Sequence, residues 1–501
     1  MAIDERSRSL GASASRGAAV TLGAQLIRVI VQLAGIVVLA RLLTPDDYGV
    51  LAMVLAIIGV GEVFRDFGLS AAAIQAREVS RAQQSNLFWI NTGIGAVLAV
   101  AVCLASGAIA GFYGDPRLAP VALLLSTTFL LNGVSTQFRA TLNRRMQFMR
   151  LSSAEIVGQV VGLVVGIWLA LSGAGYWSLA WQQVALALAT QIALLVVTGW
   201  MPGLPRRGVP MAGFLKFGGN LVASQLVTYA SRNVDSIVIG STLGASALGL
   251  YNRAFQLMLM PLNQINAPST RVALPVLSRL QDSPARYAEF VGLGQTFMLN
   301  LIGAILAFGC AQAPAIILIA LGDQWSGAVP IFQILAVAGF FQAASYATYW
   351  VFLSKGLTGA HLAYNLVTRP IMIVLVIMGA WWGVLGVATA FAVSTALLWP
   401  TALWWAGRVS DAPVRMLGLN GLRAFLVYGW AGAASWLATA WLPDDAWAAR
   451  IGLGLLVFLA AVAATLVIPA FRTDVRKMAS VRRYFRPGAG TPTTDDTEDP
   501  R

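Results

Sequence analysis

The chain has 501 residues, 58% of them hydrophobic and only 11% charged, with a mean hydropathy of +0.73 and a formal net charge of +13. Soluble domains carry about 25% charged residues, so an ordinary soluble fold is excluded and a polytopic membrane protein is implied. Two cysteines, Cys103 and Cys310, and one histidine, His361, leave no basis for a disulfide framework, a zinc site or a His-based catalytic group, and no cofactor is expected.

A bilayer span needs about 20 mainly apolar residues. Fourteen such segments follow one another at 20–43, 49–69, 85–110, 119–139, 151–171, 177–199, 214–241, 248–269, 288–309, 326–350, 362–380, 383–406, 420–441 and 451–470. The first is too long for a signal-peptide core and runs into TPDD, with no small-residue cleavage site, so it reads as a retained helix. Lys and Arg accumulate on the cytoplasmic side of membrane proteins. With the N-terminus inside, the inner segments hold 23 of the 34 Lys and Arg, whereas the outer connections hold only Arg117 and Arg450. Both termini are therefore expected in the cytoplasm, and topology accounts for most of the net charge. Nucleic-acid binding is not implied. The tail turns basic at 471–501, and from Pro487 its Pro, Gly, Thr and Asp composition reads as disordered.

The chain resembles itself at an offset of about 200. LLTPDDYGVL (42–51) falls on TLGASALGLY (242–251), aligning Leu43 with Leu243 and Gly49 with Gly249. At an offset of 208, YGDP (113–116) meets LGDQ (321–324), and GYWSLA (175–180) meets GVLGVA (383–388). Their common order suggests two six-helix repeats, 1–210 and 211–408, followed by a helical pair at 409–470. Six spans separate the copies, so the repeats are parallel. The expected fold is all-α, two lobes around a central cavity, as in transporters built from such repeats.

Polar residues spaced three and four apart share a helix face, and six of the spans carry such stripes. Span 1 has Thr21, Gln25, Arg28 and Gln32; span 7 has Asn220, Ser224, Thr228, Arg232 and Asp235. Span 2 ends in Glu62, Arg65 and Asp66, span 4 has Asn132, Thr136 and Arg139, span 5 has Glu155 and Gln159, and span 8 has Asn252, Arg253, Gln256, Asn263 and Gln264. Charge at a bilayer centre costs at least about 2.5–3.5 kcal/mol on insertion scales, so these groups face a watery cavity or a partner. Arg41 and Arg139 lie near span ends and read as snorkelling side chains. Glu62 and Asp66 fit a self-neutralised cluster with Arg65 as well as they fit a functional one. Arg28, Arg232 and Arg253 lie inside their spans, and neither Arg28 nor Arg253 has an acid next to it in sequence. Snorkelling keeps some weight for Arg253, near the outer end of its span, and Arg232 has Asp235 one turn away. Glu155 and Asp235, with Glu62 and Asp66, are candidates for ion coupling.

PDDYGVLAMV (45–54), FRDFGLSAAAIQ (64–75) and YNRAFQLMLMPLNQINAPSTRVALPVLSRLQ (251–281) resemble the polysaccharide-transporter branch of the multidrug/oligosaccharidyl-lipid/polysaccharide exporter superfamily, the Wzx-type flippases. The resemblance covers about the first 400 residues. It implies fourteen helices in two lobes and transfer of undecaprenyl-pyrophosphate-linked oligosaccharide across the bacterial inner membrane, for exopolysaccharide, capsule or lipopolysaccharide synthesis. It also implies cationic cavity residues, which fall here on Arg28, Arg65 and Arg253, with Arg232 a further candidate for the pyrophosphate. Gln25, Gln32, Asn220, Ser224, Thr228 and Gln256 would then face the glycan. Polysaccharide polymerase and chain-length proteins are the partners such a system would meet. A drug or cation exporter would carry more isolated acids, and a membrane polymerase or ligase would carry a large outer loop. No nucleophile or other catalytic residue is assigned, because flipping breaks no bond.

Overall fold

The computed structural model describes residues 23, 25, 27–66, 79–209, 211–443 and 446–484, without the side chains of 66, 212–221, 223, 224, 227, 228, 230–232, 477 and 479–484. Every element among these residues is helical, as the apolar segments require, since in lipid a helix satisfies its own backbone. Among the described residues, ten helical stretches are long and apolar enough to cross a membrane. The chain is a multi-pass, all-α membrane protein.

The helices pack into two compact units, the first comprising residues up to Ala254 with Ile317–Ile331 and Ile373–Ala388 and the second the remainder. The first boundary falls inside a helix and does not coincide with 210, where the sequence repeat divides.

In the first unit, α1 (27–42) turns at residues 43–44 into α2 (Pro45–Asp66), followed by α3 (Arg81–Tyr113), α4 (Leu118–Arg144), α5 (Phe148–Leu171), α6 (Tyr176–Thr198) and the first part of α7 (Ala212–Arg279). Close packing of α5 on α6 comes from small residues at every fourth position. Ala154, Gly158, Gly162, Gly166 and Ala170 are buried, and a methyl at Gly162 would meet Leu186 Cβ at 2.8 Å and the Gln182 carbonyl at 2.9 Å. Small residues at four-residue spacing let membrane helices approach backbone to backbone.

Helix α7 is broken at Gly244, whose φ of 86° lies where a side chain is strained. The break separates the two apolar segments expected at 214–241 and 248–269, and the second helix runs past the expected end to Arg279. Across this turn Gly249 faces the Pro45 carbonyl while Gly49 faces the Ala245 carbonyl, each too close for a Cβ. The two glycines aligned by the sequence repeat thus sit against one another's helices. Trp325 Nε1 and Gln324 Nε2 both donate to the Ala40 carbonyl at 2.8 Å, and the Arg41 guanidinium donates to the Ile319 carbonyl. Arg41, read as snorkelling, therefore has a protein partner.

In the second unit, α7 continues from Phe255 and is followed by α8 (Pro284–Ala311), α9 (Ala313–Ala320), α10 (Ala328–Ala344), α11 (Tyr346–Ser354), α12 (Thr358–Gly379), α13 (Gly383–Val409), α14 (Val414–Thr439), α15 (Trp447–Thr465) and α16 (Pro469–Tyr484). The ends of α9, α12 and the starts of α10 and α13 belong to the first unit. The helical pair α14 and α15 is fastened to α8 by buried polar contacts. Gln312 Nε2 donates to Ser435 Oγ at 2.9 Å, Ser435 Oγ donates to the Gly454 carbonyl at 2.8 Å, and Tyr428 donates to Asn300 Oδ1 at 2.9 Å. The stretch read as a basic tail begins as α16, which buries Phe471 and pairs Asp474 Oδ2 with Arg423 Nη1 at 2.5 Å.

Candidate functional site

The polar residues of four helices in the first unit meet in one linked strip. Arg28 on α1 reaches α5, where its Nη2 donates to Ser152 Oγ at 3.3 Å and lies 3.5 Å from Glu155 Oε2. Arg139 on α4 approaches the other oxygen of the same carboxylate, Oε1, at 3.8 Å. Arg65 on α2 holds Glu62 Oε2 at 2.6 Å with Nε and donates from Nη1 to Thr136 Oγ1 at 2.9 Å. Asn132 Nδ2 donates to Glu62 Oε1 at 3.4 Å. Among the described side chains, three guanidinium groups thus face two carboxylates. Arg28 Nε is buried without a partner, while the side chains of Arg28 and Glu155 remain 30% and 25% exposed, so the strip opens on one side.

Depth follows from helix rise. Arg28 lies 14 residues before Leu42, about 21 Å from the end of α1, and Thr136 lies 18 residues, about 27 Å, into α4. The strip therefore occupies the half of the spans nearest the basic loops. Glu62 and Arg65 form the self-neutralised pair that the sequence allowed, and the Asp66 side chain lies outside the described residues.

Arg28 has no acid next to it in sequence, and its acidic partner is supplied by a helix more than a hundred residues away. Arg139, read as a snorkelling side chain, shares Glu155 with Arg28 and belongs to the site. The i, i+3 and i+4 stripe of Asn132, Thr136 and Arg139 on one face of α4 was the signal for it.

Arg253 stands elsewhere. Its guanidinium lies 3.7 Å from the ring centroid of Tyr48, the fourth residue of α2, and Trp325 packs edge-on against the same ring at 5.3 Å. This is the opposite end of the spans from Arg65, so Arg28 and Arg253 do not converge on one point in this state. Asp235 is 5% exposed and accepts hydrogen bonds from the Tyr251 hydroxyl at 2.8 Å and the Ser236 amide at 2.9 Å, so it is closed to water. Gln25, Gln32 and Gln256 are exposed. The side chains of Asn220, Ser224, Thr228 and Arg232 lie outside the described residues.

An all-α, multi-pass bundle with a cationic strip in the half nearest its basic loops has the construction of a membrane transporter. The chain belongs to the polysaccharide biosynthesis protein family, whose sequence profile matches residues 38–330. It is 27% identical over 366 residues to the lipopolysaccharide biosynthesis protein WzxC of Escherichia coli (strain K12), covering 71% of this chain and 73% of that one. It is 31% identical over 301 residues to the teichuronic acid biosynthesis protein TuaB of Bacillus subtilis (strain 168), covering 59% and 62% respectively. Among solved structures, the inward closed conformation of the lipid II flippase MurJ superposes with a TM-score of 0.69 at 13% identity, covering 90% of this chain and 98% of that one. At that identity the likeness is one of fold.

Proposed function

We propose that the protein exports undecaprenyl-pyrophosphate-linked oligosaccharide repeat units, by alternating access, from the cytoplasmic to the periplasmic leaflet of the bacterial inner membrane. The observation that carries this reading is the strip of Arg28, Arg65 and Arg139. Its guanidinium groups lie within the spans, outnumber the carboxylates among the described side chains, and are partly exposed. Arginine suits a diphosphate because its planar fork donates bidentately and stays charged in a partly dry site. The relatives named for lipopolysaccharide and teichuronic acid biosynthesis support the same substrate class.

On this reading the diphosphate enters from the cytoplasmic side and takes Arg28 and Arg139 from Glu155. Gln25 and Gln32 on α1 meet the glycan, and the polyprenyl tail stays in lipid. Arg253, near the outer end, meets the head group at the exit step. The two lobes of the sequence repeat rock against each other, and no bond is broken. Both termini face the cytoplasm, and polymerase and chain-length proteins take up the product outside.

The test is deletion followed by measurement of lipid-linked glycan in each leaflet. Accumulation on the cytoplasmic leaflet, relieved by the wild-type gene, is expected. Unchanged distribution with normal surface polysaccharide would refute export.

A further inference from the structure

A second basic site lies apart from the arginine strip. A cavity of about 1080 Å³ opens between the start of α3, the end of α4 and the segment that follows α6. Arg81, Arg144, Arg145 and Arg206 line it, and no Asp or Glu is among the described lining residues. Its walls are held in place. Asn86 Nδ2 donates to the Arg206 carbonyl and the Arg206 amide to Asn86 Oδ1, both at 2.8 Å; Ser85 Oγ accepts from the Gly203 amide at 3.0 Å. Those bonds use the backbone of 203 and 206 and leave the Arg206 side chain to the cavity.

Two features bear on what the cavity takes, a buried polar group that a ligand would complete and a helix start that favours an anion. Gln137, 3% exposed, lines it with its Oε1 unpartnered, and a buried polar atom without a partner is rare unless a ligand completes it. Arg81 begins α3, behind the Ser80 cap, in a first turn that holds no acid. A cation there opposes the helix dipole, whereas an anion is favoured. Met201 and Leu204, 81% and 82% exposed, stand at the rim, so the cavity has the mixed lining of a membrane–water interface. Its arginines are at the end of the spans where the basic loops lie, the cytoplasmic end by charge asymmetry.

We propose that this cavity binds the diphosphate head group of a polyprenyl lipid at the cytoplasmic interface, as a receiving site ahead of the arginine strip. Four guanidinium groups match a group with more than one negative charge, the Gln137 amide can rotate to offer either hydrogen or oxygen, and the apolar rim accepts the first isoprene units. The inference rests on the export reading for its choice of lipid, although the basic cavity stands without it.

Native mass spectrometry of the full-length protein in detergent with undecaprenyl diphosphate tests it. Wild type is expected to bind two copies. Arg144→Gln/Arg206→Gln should bind one, with affinity for the lost copy down at least tenfold, and Arg144→Lys/Arg206→Lys should keep much of it, which separates charge from misfolding. Two copies on the Gln double variant would overturn the cavity assignment. A single wild-type copy lost in Arg28→Ala and kept in the Gln double variant would overturn the cavity and leave export standing. The converse would overturn the strip's role instead. Inorganic pyrophosphate displacing the second copy as well as added lipid does would keep a phosphate site but overturn its lipid source.

Discussion

Glu155 pairs with two arginines, and on the export reading proposed above an arriving diphosphate would have to take them from it. Replacing Glu155 by Gln removes that competitor at nearly constant volume. At an effective dielectric of about 20, unit charges at the observed 3.5 Å and 3.8 Å attract by roughly 4–5 kcal/mol each before desolvation is counted. Both distances exceed that of a good charge-assisted hydrogen bond, and the side chains of Glu155 and Arg28 are a quarter or more exposed. Exposed pairs contribute only about 0.2–1 kcal/mol, so two such contacts together are worth about 0.4–2 kcal/mol. At tenfold per roughly 1.4 kcal/mol, Glu155→Gln should tighten diphosphate binding by about 2–30-fold. It should also lower the thermal midpoint of the free protein, because Arg28 and Arg139 lose their carboxylate. The assay is lipid titration of purified wild type and variant, beside thermal unfolding of each. A folded Glu155→Gln protein that binds undecaprenyl diphosphate no more tightly, or more weakly, would refute the view that the carboxylate and the ligand share the arginines.

Arg28→Ala, Arg65→Ala and Arg253→Ala are expected to insert normally yet fail to restore polysaccharide to a deletion strain, while the Lys variants restore part of it, because Lys keeps the charge without the fork; full restoration by the Ala variants would make these residues structural. Gly162→Val places branched carbons against Leu186 and the Gln182 carbonyl, and overpacking of this kind costs about 1–3 kcal/mol; an unchanged unfolding midpoint in detergent would contradict the close α5–α6 approach. At the turn between α3 and α4, the Arg117 guanidinium hydrogen-bonds Asp115 and Asp46, and its bonds hold the Asp115 carboxyl below the usual range while burial opposes them. A depressed carboxyl stabilises the fold fully above its unfolded value near about 3.9 and ceases to do so as pH falls through the lower folded value. Asp115→Asn should therefore lower the midpoint at pH 7, and the gap to wild type should close in strong acid; a gap that widened there would reverse the sign.

The sequence alone determined that the chain crosses the membrane many times, about where, and in which orientation its charges favour, because hydropathy and loop charge are local properties read without knowing any contact. It also marked Gly49 and Gly249 as equivalent positions, and the two meet each other's helices across the Gly244 turn. The charges of the strip were legible as charges, since a charge inside an apolar segment stands out. Their partners were not. A polar stripe fixes the face of a helix but not the rotation or neighbour of that helix, so only tertiary packing could give Arg28 the carboxylate of Glu155, join Arg139 to it, and set Asp235 under the Tyr251 hydroxyl. Packing likewise moved Arg253 away from Arg28, because depth depends on where each helix starts relative to the turn beside it. The cavity around Arg144 and Arg206 was the least legible: loop arginines read as topology signals, and it took the docking of the 199–206 segment on α3 to gather them around Gln137.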